Sequence, residues 1–168
     1  CAADMRSFDV YRGASDASAA VAIDEDHFVV ADDENNVLRV YRLGEPGLPV
    51  LSVDVSAFLR CEEDHPEADI EGATRVGDRI YWITSHGRNK DGKPRPNRYR
   101  FFATDVRVVG DRVEITPAGR PCRNLVLEMV HAPFLRALDI EQFTRLGALD
   151  LSKDERKSLA PKEGGLNI

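Results

Sequence analysis

An internal repeat constrains this chain more than any other feature. Setting residue 16 against residue 69 aligns Asp16-Ala17-Ser18-Ala19-Ala20-Val21-Ala22-Ile23 with Asp69-Ile70-Glu71-Gly72-Ala73-Thr74-Arg75-Val76, and the same offset of 53 aligns Phe28-Val29-Val30-Ala31-Asp32 with Tyr81-Trp82-Ile83-Thr84-Ser85. Few residues are identical. The match is one of pattern: an acidic start, a strand of small residues, an Asp or Gly turn, then an apolar strand with a polar end. Units of this size cannot bury their own faces and must stack on their neighbours.

Each unit continues with two more runs of β-branched and aromatic residues bounded by turn residues, the signature of strands. They are Val37–Leu43 and Pro49–Val55 in the first unit, and Tyr99–Val109 and Arg112–Thr116 in the second. Four antiparallel strands in about 50 residues is the pattern of a propeller blade. The expected fold is therefore all-β, a β-propeller fragment of about two four-stranded blades plus a helical insertion. Residues 1–15 form a lead-in, 16–60 the first blade, 61–122 the second, and 123–168 the insertion and the start of a third. Within the insertion, Pro133 should end the helix-like run Leu125–Leu138. Ser152-Lys153-Asp154-Glu155 has the form of a capping box and should open a short helix.

Gly165-Leu166-Asn167-Ile168 matches Glu67-Ala68-Asp69-Ile70 in form, as though a third unit begins there. A propeller ring takes about four to eight blades, so the expected partner is the remainder of the ring, either a further segment or a second chain. Cys1, Cys61 and Cys122 show no metal-ligand spacing and no disulfide framework. Cys1 is either a truncation boundary or the processed cysteine of a lipoprotein, and secreted and periplasmic locations stay open with it. No apolar run approaches the roughly 20 residues of a membrane span. With 23 basic against 29 acidic side chains, a net charge of −6, the chain lacks the basic footprint of a nucleic-acid binder outside residues 88–100.

In an up-and-down blade the start of the first strand and the end of the second share one sheet edge. That arrangement gathers Asp16, Ser18, Asp32 and Asp33 beside Asp69, Glu71, Ser85, His86 and Arg88. Asp69 and Glu71, two apart, should point the same way. Oxygen ligands from Asp16, Asp69 and Glu71 would suit calcium or magnesium. His86, Arg88, Lys90 and Arg98 are the candidates for holding a small anionic ligand, with His86 as the candidate catalytic acid or base. The alternative is structural: Asp69 and Glu71 accept backbone hydrogen bonds or pair with Arg79 or Arg98, His86 is a turn histidine, and the basic loop is solvated. Asp32-Asp33-Glu34-Asn35-Asn36 lacks the spacing of an EF-hand and reads as a hairpin turn.

The stretch Glu67–Ala73, followed by Arg79–Lys93 with its Ser85-His86-Gly87-Arg88-Asn89-Lys90-Asp91-Gly92 run, resembles the bacterial DUF3616 family. The likeness extends to Asp16–Val21, Val30–Tyr41, Pro96–Arg98 and Phe102–Thr104. It implies a propeller-like fold. A more distant similarity, through Asp69-Ile70-Glu71-Gly72, is to the esterase-like phytase group of secreted propellers. That likeness implies a metal-dependent phosphoesterase as the enzymatic reading, against a noncatalytic interaction or scaffold propeller as the alternative.

Overall fold

A computed structural model describes residues 8–148 and 150–168. Cys1 lies outside the described residues. The chain forms two four-stranded antiparallel meanders. The first contains β1 (Ala17–Ala22), β2 (His27–Asp32), β3 (Asn35–Arg42) and β4 (Leu51–Asp54), in that spatial order. The second contains β5 (Ile70–Val76), β6 (Arg79–Thr84), β7 (Phe101–Val109) and β8 (Arg112–Cys122). Short turns join β1 to β2, β2 to β3, β5 to β6 and β7 to β8, where consecutive antiparallel strands pair directly; β3–β4 and β6–β7 pair across longer connections, residues 43–50 and the long loop 85–100.

Alternation sets the faces. Leu38 and Val40 on β3, Ile80 and Trp82 on β6, and Phe102 and Val106 on β7 point inward, with their neighbours partly or fully exposed except Tyr41, which is buried against other aromatic rings on the opposite face. Together with Val29, Ala31, Val55, Leu59 and Ile70 they form one apolar cluster spanning both sheets. Trp82 is its largest member. Its ring stacks on Phe102 at 6.2 Å, and its indole N–H donates to Thr104 Oγ1 at 3.0 Å, which satisfies the polar end of a fully buried side chain. Two side chains tie the sheets directly. Ser18 donates its hydroxyl to the Ile70 carbonyl, and Arg75 reaches the carbonyls of Ala22 and Ile23.

The repeat is visible in three dimensions, with a one-residue correction. Both first strands carry a β-bulge at the same place, between Ala17 and Ala19 and between Ile70 and Gly72. Ala22 pairs with Phe28, and a constant offset would pair Arg75 with Tyr81; the observed partner is Ile80. The turns account for the slip. Ile23–Asp26 is a four-residue connection ordered by the Asp24 carboxylate, which accepts from the Asp26 and His27 amides at 2.9 and 2.6 Å. Gly77-Asp78 is a two-residue connection in which Gly77 takes φ 61°.

β8 runs on to Cys122, beyond the Thr116 expected from sequence. Pro117 and Pro121 are tolerated because β8 pairs only with β7, which leaves its other edge free of ladder bonds.

α2 and α4 follow the sequence signals, and α1 and α3 are additional short helices. α1 (Ser56–Leu59) is one turn that inserts Leu59 under the core. α2 (Leu125–His131) stops two residues before Pro133. α3 spans Ile140–Thr144. α4 (Lys153–Ser158) opens on the Ser152 capping box, with both reciprocal bonds formed. No helix among the described residues is long and apolar enough to cross a membrane.

Candidate functional site

The shared edge of the two sheets is built by buried polar side chains. In the first sheet Asp32 closes the β2–β3 turn. Its carboxylate accepts from the Ser15 amide at 2.7 Å and the Glu34 amide at 3.0 Å, with its side chain fully buried. Burial alone would raise its pKa; these amides, Asn35 and the Arg39 charge outweigh it and hold the carboxyl below its ordinary value. The turn presents Asp33, whose amide donates to the Asp16 carbonyl at 3.2 Å. In the second sheet the Ser85 amide donates to the Asp69 carbonyl at 2.8 Å, so the end of β6 fixes the residue that precedes β5.

The connection from α1 to β5 is anchored along its length. Asn36, 4% exposed, donates to the Pro66 carbonyl at 2.8 Å and accepts from the Ala68 amide at 2.9 Å. Asn97 does the same for Glu62 and His65. Arg100 spends its guanidinium on the carbonyls of Leu59, Pro96 and Tyr99. Asp69 itself adopts φ 62°, in the left-handed region that Asp tolerates better than most side chains.

These devices bring one carboxylate oxygen each from Asp33, Asp69 and Glu71 within 4.8 Å of one another. Asp33 comes from the first sheet, and the other two from the second. The Glu71 carboxyl is pushed up, first by burial and then by the charges of Asp69 and Asp33; Asp33 is pushed up by burial and then by Asp16 and Asp69. Asp33 Oδ1 is buried with no hydrogen-bond partner among the described residues. Arg98 is the guanidinium against the cluster: its Nη1 lies 2.8 Å from Asp69 Oδ2, and its Nη2 is 3.8 Å from Glu67.

The other residues singled out in the sequence have different positions. Asp16 is exposed and outside the three-carboxylate set, acting on Asp33 and Glu71 only through its charge. Arg79 pairs with Asp105, not with the cluster. Arg88 is buried, and its terminal nitrogens donate to the carbonyls of Gly92, Thr144 and Arg145, a clamp between the long loop and α3. Lys90 is exposed on that loop.

His86 is 1% exposed, with its ring edge against Tyr99 and its Nδ1–H donating to the Thr84 carbonyl at 2.8 Å. Burial lowers its pKa, the Thr84 contact opposes that, and the Arg100 charge adds to the lowering. The imidazole is a neutral interior group, and a substrate has no access to it in this arrangement. Its backbone φ of 52° explains how β6 turns directly into the loop.

Asp33 was legible as a neighbour of the cluster but not as a ligand, because its place depends on the turn that Asp32 organises. Asn36, Asn97 and Arg100 carried no signal at all; polar residues in strands and loops ordinarily face water. A larger cavity of about 740 Å³ lies at the opposite edge, lined by Arg75, Asp78, Asp105 and Val106. Two of its lining charges are matched in ion pairs, Arg75 with Asp78 and Asp105 with Arg79, and no three carboxylates converge there as they do at the acidic edge. Searches against family models, curated proteins and solved structures returned no match to the chain.

Proposed function

We propose that the two sheets are adjacent blades of a propeller-type ring, and that their acidic edge holds a divalent cation through which an anionic ligand is bound. One observation carries this reading: three carboxylates converge within 4.8 Å while a single guanidinium, Arg98, faces them. Three negative charges against one positive charge leave a surplus that a cation relieves. The donor set is all oxygen, which suits a hard cation. Calcium and magnesium are the hard cations that such a donor set suits.

A bound cation would supply charge to draw and polarise a phosphoryl or carboxylate oxygen. Arg98, with its side chain 21% exposed, stands at the rim to meet the same anion. A phosphoesterase is the enzymatic form of this reading. It needs a proton donor other than His86, whose Nδ1–H is committed and whose ring is enclosed.

The test is thermal unfolding of the chain with calcium, with magnesium, and in chelator. A cation that binds only the folded state adds about 2.7 kcal/mol at a hundredfold excess over its Kd. The expected result is a higher midpoint with calcium in the natural sequence and none in the Asp33→Asn/Glu71→Gln double variant. A calcium shift of equal size in both proteins, or none in either, would leave the noncatalytic interaction propeller as the reading. The Arg98–Asp69 contact favours that second reading, because it already neutralises one carboxylate internally.

A further inference from the structure

A second, separate charged site lies on the other side of the long loop. Lys93 from the loop and Lys153, Arg156 and Lys157 from α4 line one cavity of about 440 Å³, with Asp91 as its acidic residue. Positions 153, 156 and 157 share one helix face at i, i+3 and i+4 spacing, where like charges repel. Four positive charges against one negative give a local +3 in a chain whose net charge is −6. Among the described residues none of the four pairs with a carboxylate within 4.0 Å. Of the two acidic residues of α4, Asp154 does not line the cavity and Glu155 is committed elsewhere. Hydrogen bonds from Ser152 and then Arg145 hold its carboxyl down at about 2.

The walls of this cavity are fixed before any ligand arrives. Asn89 Oδ1 accepts from the Asp91 and Lys93 amides at 3.0 and 2.8 Å, and the Lys93 carbonyl accepts from the Asn89 amide at 3.0 Å. Arg88 holds the Gly92 carbonyl at 3.1 Å. Gly92, at φ 70°, lies so close to α4 that a Cβ there would sit 1.6 Å from the Arg156 carbonyl oxygen. The loop and the helix therefore meet backbone to backbone, and only glycine permits the contact.

We infer that this cavity is a binding site for a small polyanion carrying a pyrophosphate group. Uncompensated cations converging from a fixed backbone are what such a group requires; the four side chains are themselves exposed, and the ligand would order them on binding. The concavity and volume match a small molecule; a nucleic-acid backbone would need a longer basic track. The inference does not depend on the cation reading of the acidic edge. It also relocates the anion specificity of the loop, from Arg88 and Lys90 to Lys93 and its partners on α4.

The test is calorimetric titration of the 168-residue chain. Inorganic pyrophosphate and a nucleoside diphosphate are the two probes, in buffer stripped of divalent ions by a chelating resin, so that failure here is independent of the acidic edge. Lys93→Gln/Lys157→Gln should weaken binding about tenfold or more, having lost two charge-assisted contacts. Lys90→Gln/Lys162→Gln removes the same charge from exposed positions outside the cavity and should leave binding unchanged. Tighter binding of one probe identifies whether the free or the nucleotide-borne group is preferred. No binding of either probe to the natural sequence, or equal weakening by both double variants, overturns the proposal.

Discussion

The two sheets solve the same problem at their shared edge with different chemistry. Both carry a bulge in their first strand and must turn the second strand away from it. In the first sheet the strand-end residue opposite Ala17 is Asp32; in the second the residue opposite Ile70 is Thr84. Both are fully buried. Asp32 accepts the Glu34 amide of a two-residue turn and the Ser15 amide from the segment before β1. Thr84 accepts from the Arg100 amide at 2.9 Å and donates to the Arg98 carbonyl, pinning the base of a long loop. The Asp32 carboxylate accepts one amide from its own turn and one from the lead-in to β1, whereas the Thr84 hydroxyl, which both donates and accepts, ties the end of β6 to the far end of the long loop. The consequence is asymmetric: the first sheet contributes only a carboxylate, Asp33, to the acidic cluster, and the second contributes two carboxylates and the loop arginine that partly neutralises them.

The largest effect should come from removing the charged acceptor. Asp32→Ala strips the Ser15 and Glu34 amides of their buried acceptor and should cost about 3 kcal/mol in urea unfolding, against about 1.5 kcal/mol for Thr84→Val. Equal losses would break the comparison.

The pH dependence of stability should separate the edges next. Asp32 has a depressed folded pKa, so its stabilisation is present above the ordinary value of 3.8 and is lost as pH falls through the folded value. Asp33 and Glu71 have raised folded pKa values. Their protonated forms favour folding, and stability declines as pH rises from the ordinary values, 3.8 and 4.5, through the folded ones. In chelator, Asp33→Asn/Glu71→Gln should flatten only this upper decline, and Asp32→Asn only the acid-side loss. Urea midpoints followed from acid to neutral pH measure both.

A smaller difference should separate the two first-sheet carboxylates nearest the cluster. Asp16→Asn should retain the calcium-dependent rise in midpoint with at most a modest weakening, and Asp33→Asn alone should lose most of it. If Asp16→Asn abolishes the rise, the ligand set is the one expected from sequence and not the one assembled here.

The smallest effect belongs to Arg79. Its two-pronged contact with Asp105, 2.7 and 3.1 Å, looks strong, yet both partners are nearly half exposed. Arg79→Ala should leave the thermal midpoint unchanged within measurement error, because water and salt screen exposed pairs.

How much of this was legible beforehand differs by level. The acidic starts at Asp16 and Asp69, the Asp33-Glu34 turn, the break at Pro133 and the Ser152 capping box are local signals, and each describes the structure closely. The one-residue slip between the units was hidden, because turn length is set by which side chains satisfy the turn amides. Arg88 and His86 read as exposed recognition residues, since Gly-rich polar loops ordinarily face solvent; contact with α3 and Tyr99 encloses them instead.

The sequence by itself determined that the chain is all-β in two similar four-stranded units, with a helical C-terminal region. Strand alternation, turn residues and caps act over a few residues and need no knowledge of distant partners. Only the tertiary structure decided which carboxylates meet, which arginines are spent on carbonyls, and which lysines share a cavity. Those outcomes depend on residues far apart in sequence being brought within ångströms, as Asp33 and Asp69 or Arg88 and Thr144 are. Burial then sets their charge and reach, and burial is a property of the packed whole.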